Sequence, residues 1–160
     1  MTKVYIGLGA NLNAPVEQLK RALDALNRIS DTQLLTCSQF YGSKPMGPQD
    51  QPDYVNAVAC LDTELDAHAL LDALQTIELE QGRERKDERW GARTLDLDIL
   101  LFGNQVIDTE RLTVPHYGLC QREFVVYPLL EIAPVLVLPS GEPLAEICKN
   151  VPLNDLTPLK

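Results

Sequence analysis

Between Leu95 and Phe102 the chain reads L-D-L-D-I-L-L-F, an apolar run that carries carboxylates at two alternate positions. Such a segment is short, bounded by Gly103-Asn104, and has the two-residue period of a β-strand rather than the 3.6-residue period of a helix. If the period holds throughout, Leu95, Leu97, Ile99 and Leu101 line one face and Asp96, Asp98, Leu100 and Phe102 the other. The leucine stripe then faces helices. The two aspartates project together from the opposite face, roughly 6–7 Å apart along the strand. Like charges at that spacing destabilise each other unless solvent or a cation answers them.

The neighbouring segments decide what kind of sheet receives this strand. Lys3 to Leu8 reads as a first strand, ended by Gly7 and Gly9. Pro15 to Ile29 has apolar residues at Val16, Leu19, Leu23 and Leu26, one helical face, with proline at the start. Leu34 to Tyr41 and Tyr54 to Leu61 read as strands two and three. Ala67 to Gln81 is a helix, with Leu70, Leu74 and Ile77 on one side and Asp66 as its cap. Arg122 to Ile132 and Leu144 to Cys148 read as short helices. The order strand, helix, strand, strand, helix, strand predicts an α+β sandwich with a mostly antiparallel sheet and helices on one side of it. No helix separates strands two and three, which argues against a doubly wound parallel sheet. The glycines at 7 and 9 lack the remaining spacing of a dinucleotide-binding turn. No repeat or linker divides the 160 residues, and one domain over 1–160 is expected.

Charge is informative in its distribution. The formal net charge is −9, which argues against a general nucleic-acid or acidic-membrane binder. Yet five of the fourteen basic residues fall between Gly82 and Arg93, G-R-E-R-K-D-E-R-W-G-A-R, directly before the aspartate strand. A solvated loop of alternating signs is one reading; an anion-binding loop is the other. Oxygen ligands alone are on offer beside it, which suits Mg²⁺ and not zinc, whose sites favour His and Cys. Carboxylates for Mg²⁺ next to several arginines form a set suited to a polyphosphate. Cys37, Cys60, Cys120 and Cys148 have no metal or redox spacing and are expected to be reduced. With no signal-like start and no apolar segment of membrane-spanning length, a cytoplasmic protein without membrane partners is expected.

Three stretches carry a resemblance: G-P-Q-D-Q-P-D-Y-V-N at 47–56, R-W-G-A-R-T-L-D-L-D-I-L-L-F-G at 89–103, and L-T-V-P-H at 112–116. Together they resemble the 6-hydroxymethyl-7,8-dihydropterin pyrophosphokinase family of folate biosynthesis, over Tyr5 to about Pro139. The resemblance implies a ferredoxin-like fold with long mobile loops. It also implies transfer of pyrophosphate from ATP to the pterin hydroxymethyl group, with release of AMP and no covalent enzyme intermediate. It places two Mg²⁺ ions on Asp96 and Asp98, and catalytic arginines at Arg83 and Arg93. It assigns ATP contacts to Gln75, Arg85, Lys86, Ile99, Arg111, Thr113, His116, Tyr117 and Arg122. Pterin contacts fall on Ser43, Met46, Tyr54, Asn56, Trp90 and Phe124, with Glu78 in the surrounding network. The chain departs from the pattern at Gly42, where some relatives carry arginine, and at Lys44, a place often held by proline. The expected partners are small molecules, with no nucleic acid, and the expected state is a monomer. The alternatives are another Mg²⁺-dependent phosphotransferase or nucleotide-binding protein, a silent binding module, and a nucleic-acid-binding domain of the same shape.

Overall fold

The computed structural model describes residues 1–10, 15–43, 54–82, 95–116, 118–153 and 156–158. Among these, six strands form one antiparallel sheet. β1 (Thr2–Ala10) lies between β4 (Tyr54–Thr63) and β5 (Asp96–Phe102), and pairs with both. On its far side β4 pairs with β2 (Thr32–Cys37) and β3 (Tyr41–Ser43), and β3 in turn pairs with β8 (Thr157–Pro158). β6 (Ile107–Asp108) and β7 (Thr113–Val114) make a separate small hairpin. The helices are α1 (Pro15–Asn27), α2 (Ala67–Ile77), α3 (Glu123–Ile132) and α4 (Leu144–Cys148). The expected α+β sandwich is present, and its core has the ferredoxin-like β-α-β-β-α-β order.

Helices cover both faces of the sheet, where the sequence had suggested one. Ile6, Leu8, Leu97 and Ile99 point into a cluster with Leu19, Ala22 and Leu26 of α1 and Leu70, Leu74 and Ile77 of α2. Tyr5, Val58, Cys60 and Leu100 face a second cluster, built from Val126 and Leu129 of α3 with Leu144 and Ile147 of α4. Each fully buried Leu or Ile in these layers contributes about 1.5–3 kcal/mol relative to an exposed position. The second layer was missed because α3 and α4 are short and lack a broad polar face to give an amphipathic period.

Other boundaries moved for identifiable reasons. β1 runs through both glycines to Ala10 instead of ending at them. The predicted second strand is two pieces: the N–H of Val58 donates to Ser38 Oγ at 3.0 Å, and this side-chain bond interrupts the ladder between β2 and β3. A register shift between Tyr5 and Ile6 breaks the alternation of β5. Leu100 and Leu101 consequently both join the second cluster and Phe102 joins the first, against the predicted alternation. Asp66 caps α2 as expected, its carboxylate accepting from the N–H of Ala69 at 2.8 Å. The α-helix stops at Ile77, and Glu78–Gly82 continues as one π-helical turn.

Candidate active site

Cross-strand register builds the site from β4, β1 and β5. Asn56 is opposite Gly9, and Gly9 is opposite Asp96; one pair further along, Val58 is opposite Gly7, and Gly7 opposite Asp98. Directly opposed residues share a face. Asn56 and Asp96 therefore stand on the same side of the sheet with a glycine between them. A Cβ on Gly9 would lie 2.8 Å from Asn56 Oδ1, so the missing side chain is the space that the buried Asn56 amide occupies. The predicted pairing of Asp96 and Asp98 on one face holds, because the register shift lies beyond them.

The strand that carries the aspartates is fixed from its outer edge. β5 has β1 on one side; toward the other, the N–H of Leu97 donates to Glu78 Oε2 at 2.8 Å. Glu78 is only 7% exposed and opens the π-helical turn. That turn is tied to α1, since Gln18 donates its side-chain amide to the carbonyl of Gln81. Further along the same edge the N–H of His116 donates to the carbonyl of Leu100 at 3.0 Å.

His116 then reaches the aspartates. Its Nδ1 accepts from the N–H of Gly118 at 3.0 Å, which leaves the proton on Nε2, 4.0 Å from Asp98 Oδ2. The His116 side chain is 15% exposed and that of Asp98 55%. Burial lowers the His116 pKa from its ordinary value, Asp98 opposes the shift, and Arg122 adds to it. The guanidinium of Arg122 packs over the backbone at Gly118, where a Cβ would lie 2.8 Å from Nε, and sits 5.8 Å from the centre of the Phe124 ring. An imidazole with its N–H toward Asp98 thus has a guanidinium for a neighbour, which in turn lies over an aromatic face.

A second group lies on α2. Arg111 Nη2 donates to Asp72 Oδ1 at 2.7 Å and to Gln75 Oε1 at 3.1 Å, so two predicted ATP contacts touch directly. Asp72 was not among the predicted residues, although its place one turn before Gln75 was a usable signal. His68 Nε2 is 2.9 Å from Thr109 Oγ1, which ties the β6–β7 hairpin bearing exposed Thr113 to the same helix. Ile99 lies on β5, and its side chain decides how it could meet a nucleotide. Its side chain is buried in the first core cluster, so only its backbone is available to a ligand. Tyr54 begins β4 and pairs with Ser43, the last residue of β3. Met46, Arg83, Arg85, Lys86, Trp90, Arg93 and Tyr117 lie outside the described residues. Among the described residues no group of three or more His, Cys, Asp or Glu side chains forms a metal cage, and no helix is long and apolar enough to cross a membrane.

Comparison with known proteins gives one family throughout. The model for 7,8-dihydro-6-hydroxymethylpterin-pyrophosphokinase matches residues 5–134. A 2-amino-4-hydroxy-6-hydroxymethyldihydropteridine pyrophosphokinase of Haemophilus influenzae is 61% identical over 150 residues, 94% of this chain and 93% of the relative. One of Pseudomonas aeruginosa is 55% identical over 154 residues, 96% of this chain and 94% of the relative. Among solved structures, a Plasmodium falciparum HPPK-DHPS triple mutant with SDX-DHP superposes with a TM-score of 0.73 at 14% identity. That match covers 93% of this chain; the chain spans 44% of the larger protein's length, and the likeness is one of fold.

Proposed function

The chain belongs to the 7,8-dihydro-6-hydroxymethylpterin-pyrophosphokinase family, and from that premise we infer its reaction and the roles of its residues. The chain transfers pyrophosphate from ATP to the hydroxymethyl group of 6-hydroxymethyl-7,8-dihydropterin, a step of folate synthesis. The hydroxymethyl oxygen forms a bond to the β-phosphorus, the bond from that phosphorus to the α,β-bridging oxygen breaks, and AMP leaves. The observation that carries the residue assignment is the row Asn56, Gly9, Asp96: an amide suited to a heterocycle edge and a carboxylate suited to a metal stand one strand apart on a common face.

The donor set fits Mg²⁺. Asp96 and Asp98 offer hard carboxylate oxygens, whereas His116 turns an N–H toward Asp98 and acts as a donor. Two carboxylates would be sufficient to hold Mg²⁺ beside a polyphosphate. Bound Mg²⁺ neutralises phosphate charge and lowers the pKa of a hydroxyl beside it. Asp96 and Asp98 would hold the metal, two ions being expected with ATP. His116 Nε2–H and the guanidinium of Arg122 donate to phosphate oxygens. Gln75, Arg111 and Thr113 bind the nucleotide, Ile99 through its backbone, along with Arg85, Lys86 and Tyr117. Asn56 reads the polar edge of the pterin with both its donor and its acceptor. Tyr54, Phe124 and Trp90 supply aromatic faces, while Ser43 and Met46 complete that side. Arg83 and Arg93 act on the transferring phosphates. No side chain is assigned as a dedicated general base.

A single domain, a monomer and a cytoplasmic location belong to the same reading. Four free cysteines support the location, and the pairing of β8 with β3, which joins the tail to the sheet, supports the single domain. The test is incubation with ATP, Mg²⁺ and the pterin, with nucleotide products separated by chromatography. AMP formed only when the pterin is present is expected. ADP, or AMP made at the same rate without the pterin, overturns the reading.

A further inference from the structure

The segment Leu156–Pro158 lies beyond the residues that the family model matches, and the sequence assigned it no role. In the fold it returns to the sheet beside the pterin side of the site. Thr157 is paired with Gly42 and Pro158 with Tyr41, making β8 the outer neighbour of β3. β3 passes this position on, since Tyr41 is opposite Asn56, Gly42 opposite Val55, and Ser43 opposite Tyr54. Three residues of β3 thus separate β8 from two residues assigned to the pterin. Leu156 anchors the segment: it is 4% exposed, and its N–H donates to the carbonyl of Leu153 at 3.2 Å.

A short strand such as β3 fixes little on its own, because three residues provide few ladder bonds and order is costly without neighbours. Besides its pairing with β4, it is supported by α3. Glu131 Oε1 accepts from the Tyr41 hydroxyl at 2.5 Å, and Oε2 accepts from the N–H of Gln39 at 3.0 Å. β3 is therefore gripped at one end by a carboxylate and along its outer edge by β8. We propose that Leu156–Pro158 is a positioning strand for pterin binding, holding β3 so that Ser43 and Tyr54 opposite it, beyond the reach of the β1–β4 ladder, keep their places.

This inference rests on the assignment of Ser43 and Tyr54 to the pterin. Its test is the full-length Leu156→Asp variant. Burying an unpaired carboxylate is unfavourable enough to expel the segment from the sheet. Pterin KM, ATP affinity and melting temperature are measured together. A one-ångström displacement of positioning groups is enough to change catalytic parameters strongly, so pterin KM is expected to rise about tenfold or more. ATP affinity should stay within about twofold, since those of its groups among the described residues lie on β5, α2 and the β6–α3 segment. Unchanged pterin KM, or loss of pterin and ATP binding together, overturns the proposal; the second result makes the segment a general stability element. Should Leu156→Asp not fold, Leu156→Ala is read by the same criteria. Pterin-dependent AMP formation by the wild-type chain separates this inference from the family reaction, because its absence fails the reaction itself.

Discussion

Glu78 Oε2 accepts the backbone N–H of Leu97 at 2.8 Å, which places a buried carboxylate from the end of α2 midway between Asp96 and Asp98 on the edge of their strand. Truncating this side chain leaves a buried N–H without its partner. Glu78→Ala should therefore lower stability by about 1–3 kcal/mol, measured by denaturant titration. It should also raise the Mg²⁺ concentration needed for half-maximal turnover, because the aspartates lose their lateral support. Unchanged Mg²⁺ dependence in a destabilised variant reduces Glu78 to a purely structural group.

Asp98 is half exposed and makes no contribution to either core cluster. Asp98→Ala is expected to melt close to the wild type yet lose turnover by about a hundredfold or more, the order of an electrostatic group acting on the reacting centre. Pterin affinity should change far less. Isothermal titration with the pterin, beside a turnover assay, separates the two effects; near-wild-type turnover removes Asp98 from the metal site.

Gly9 is the sharpest steric constraint between the two halves of the site. In Gly9→Ala the new Cβ meets Asn56 Oδ1 at 2.8 Å, and the buried amide must move. Overpacking of this kind costs about 1–3 kcal/mol. A rise in pterin KM that exceeds any rise in ATP KM is the expected result. Gly7→Ala is the control, since its Cβ would stand 3.4 Å from Leu100 Cδ2, an ordinary contact.

Arg111→Ala separates binding from stability. Its ion pair with Asp72 is exposed, the side chains being 47% and 66% in solvent, and such pairs contribute about 0–1 kcal/mol. The melting temperature should barely change, while ATP KM rises about tenfold to a hundredfold, the scale of one lost charge-assisted hydrogen bond of about 1.5–3 kcal/mol. A fall in melting temperature with ATP KM intact assigns Arg111 to the fold alone.

The alkaline limb of stability should report on the junction of β2 and β3. Burial, with the Glu131 carboxylate adding to it, raises the Cys37 pKa from 9.0 to about 11. Burial and the hydrogen bond to Glu131 raise Tyr41 from 10.0 to about 12. Both groups are raised on folding, so the unfolded chain gives up protons first and stability falls as pH increases, for Cys37 between 9 and about 11. Equilibrium unfolding across that window should show a shallower decline in Cys37→Ala than in the wild type. Identical slopes remove Cys37 from the account.

The sequence was most legible where one physical rule acted alone. Alternation placed Asp96 and Asp98 on a common face, and the spacing of Leu70, Leu74 and Ile77 gave the buried side of α2. It failed where a non-local contact set the outcome. The hydroxyl of Ser38 splits the second strand through Val58, twenty positions away. The register shift opposite Tyr5 and Ile6 turns Leu101 and Phe102 over, and nothing in the local pattern announces it. In the site, motifs named Asn56, Asp98 and His116, but the groups that hold them come from elsewhere: Gly9 clears space across a strand pair, and Glu78 reaches β5 from the end of a helix. The π-helical turn after Ile77 is likewise invisible to a 3.6-residue period, which continues through it as ordinary helix.

The central position of β1 has a consequence for how the two substrates meet. Asn56 and Asp96 are separated by one strand, so their backbones stand about two inter-strand spacings, roughly 9.5 Å, apart. Hydrogen-bonded spacing in a sheet comes from peptide geometry and has almost no freedom to stretch. Loops around the site can vary in length and composition among relatives without altering this interval. On the assignment proposed for Asn56 and Asp96, the reach from pterin edge to metal is a ruler made of backbone, and selection on loop residues can tune entry and affinity while that interval stays constant.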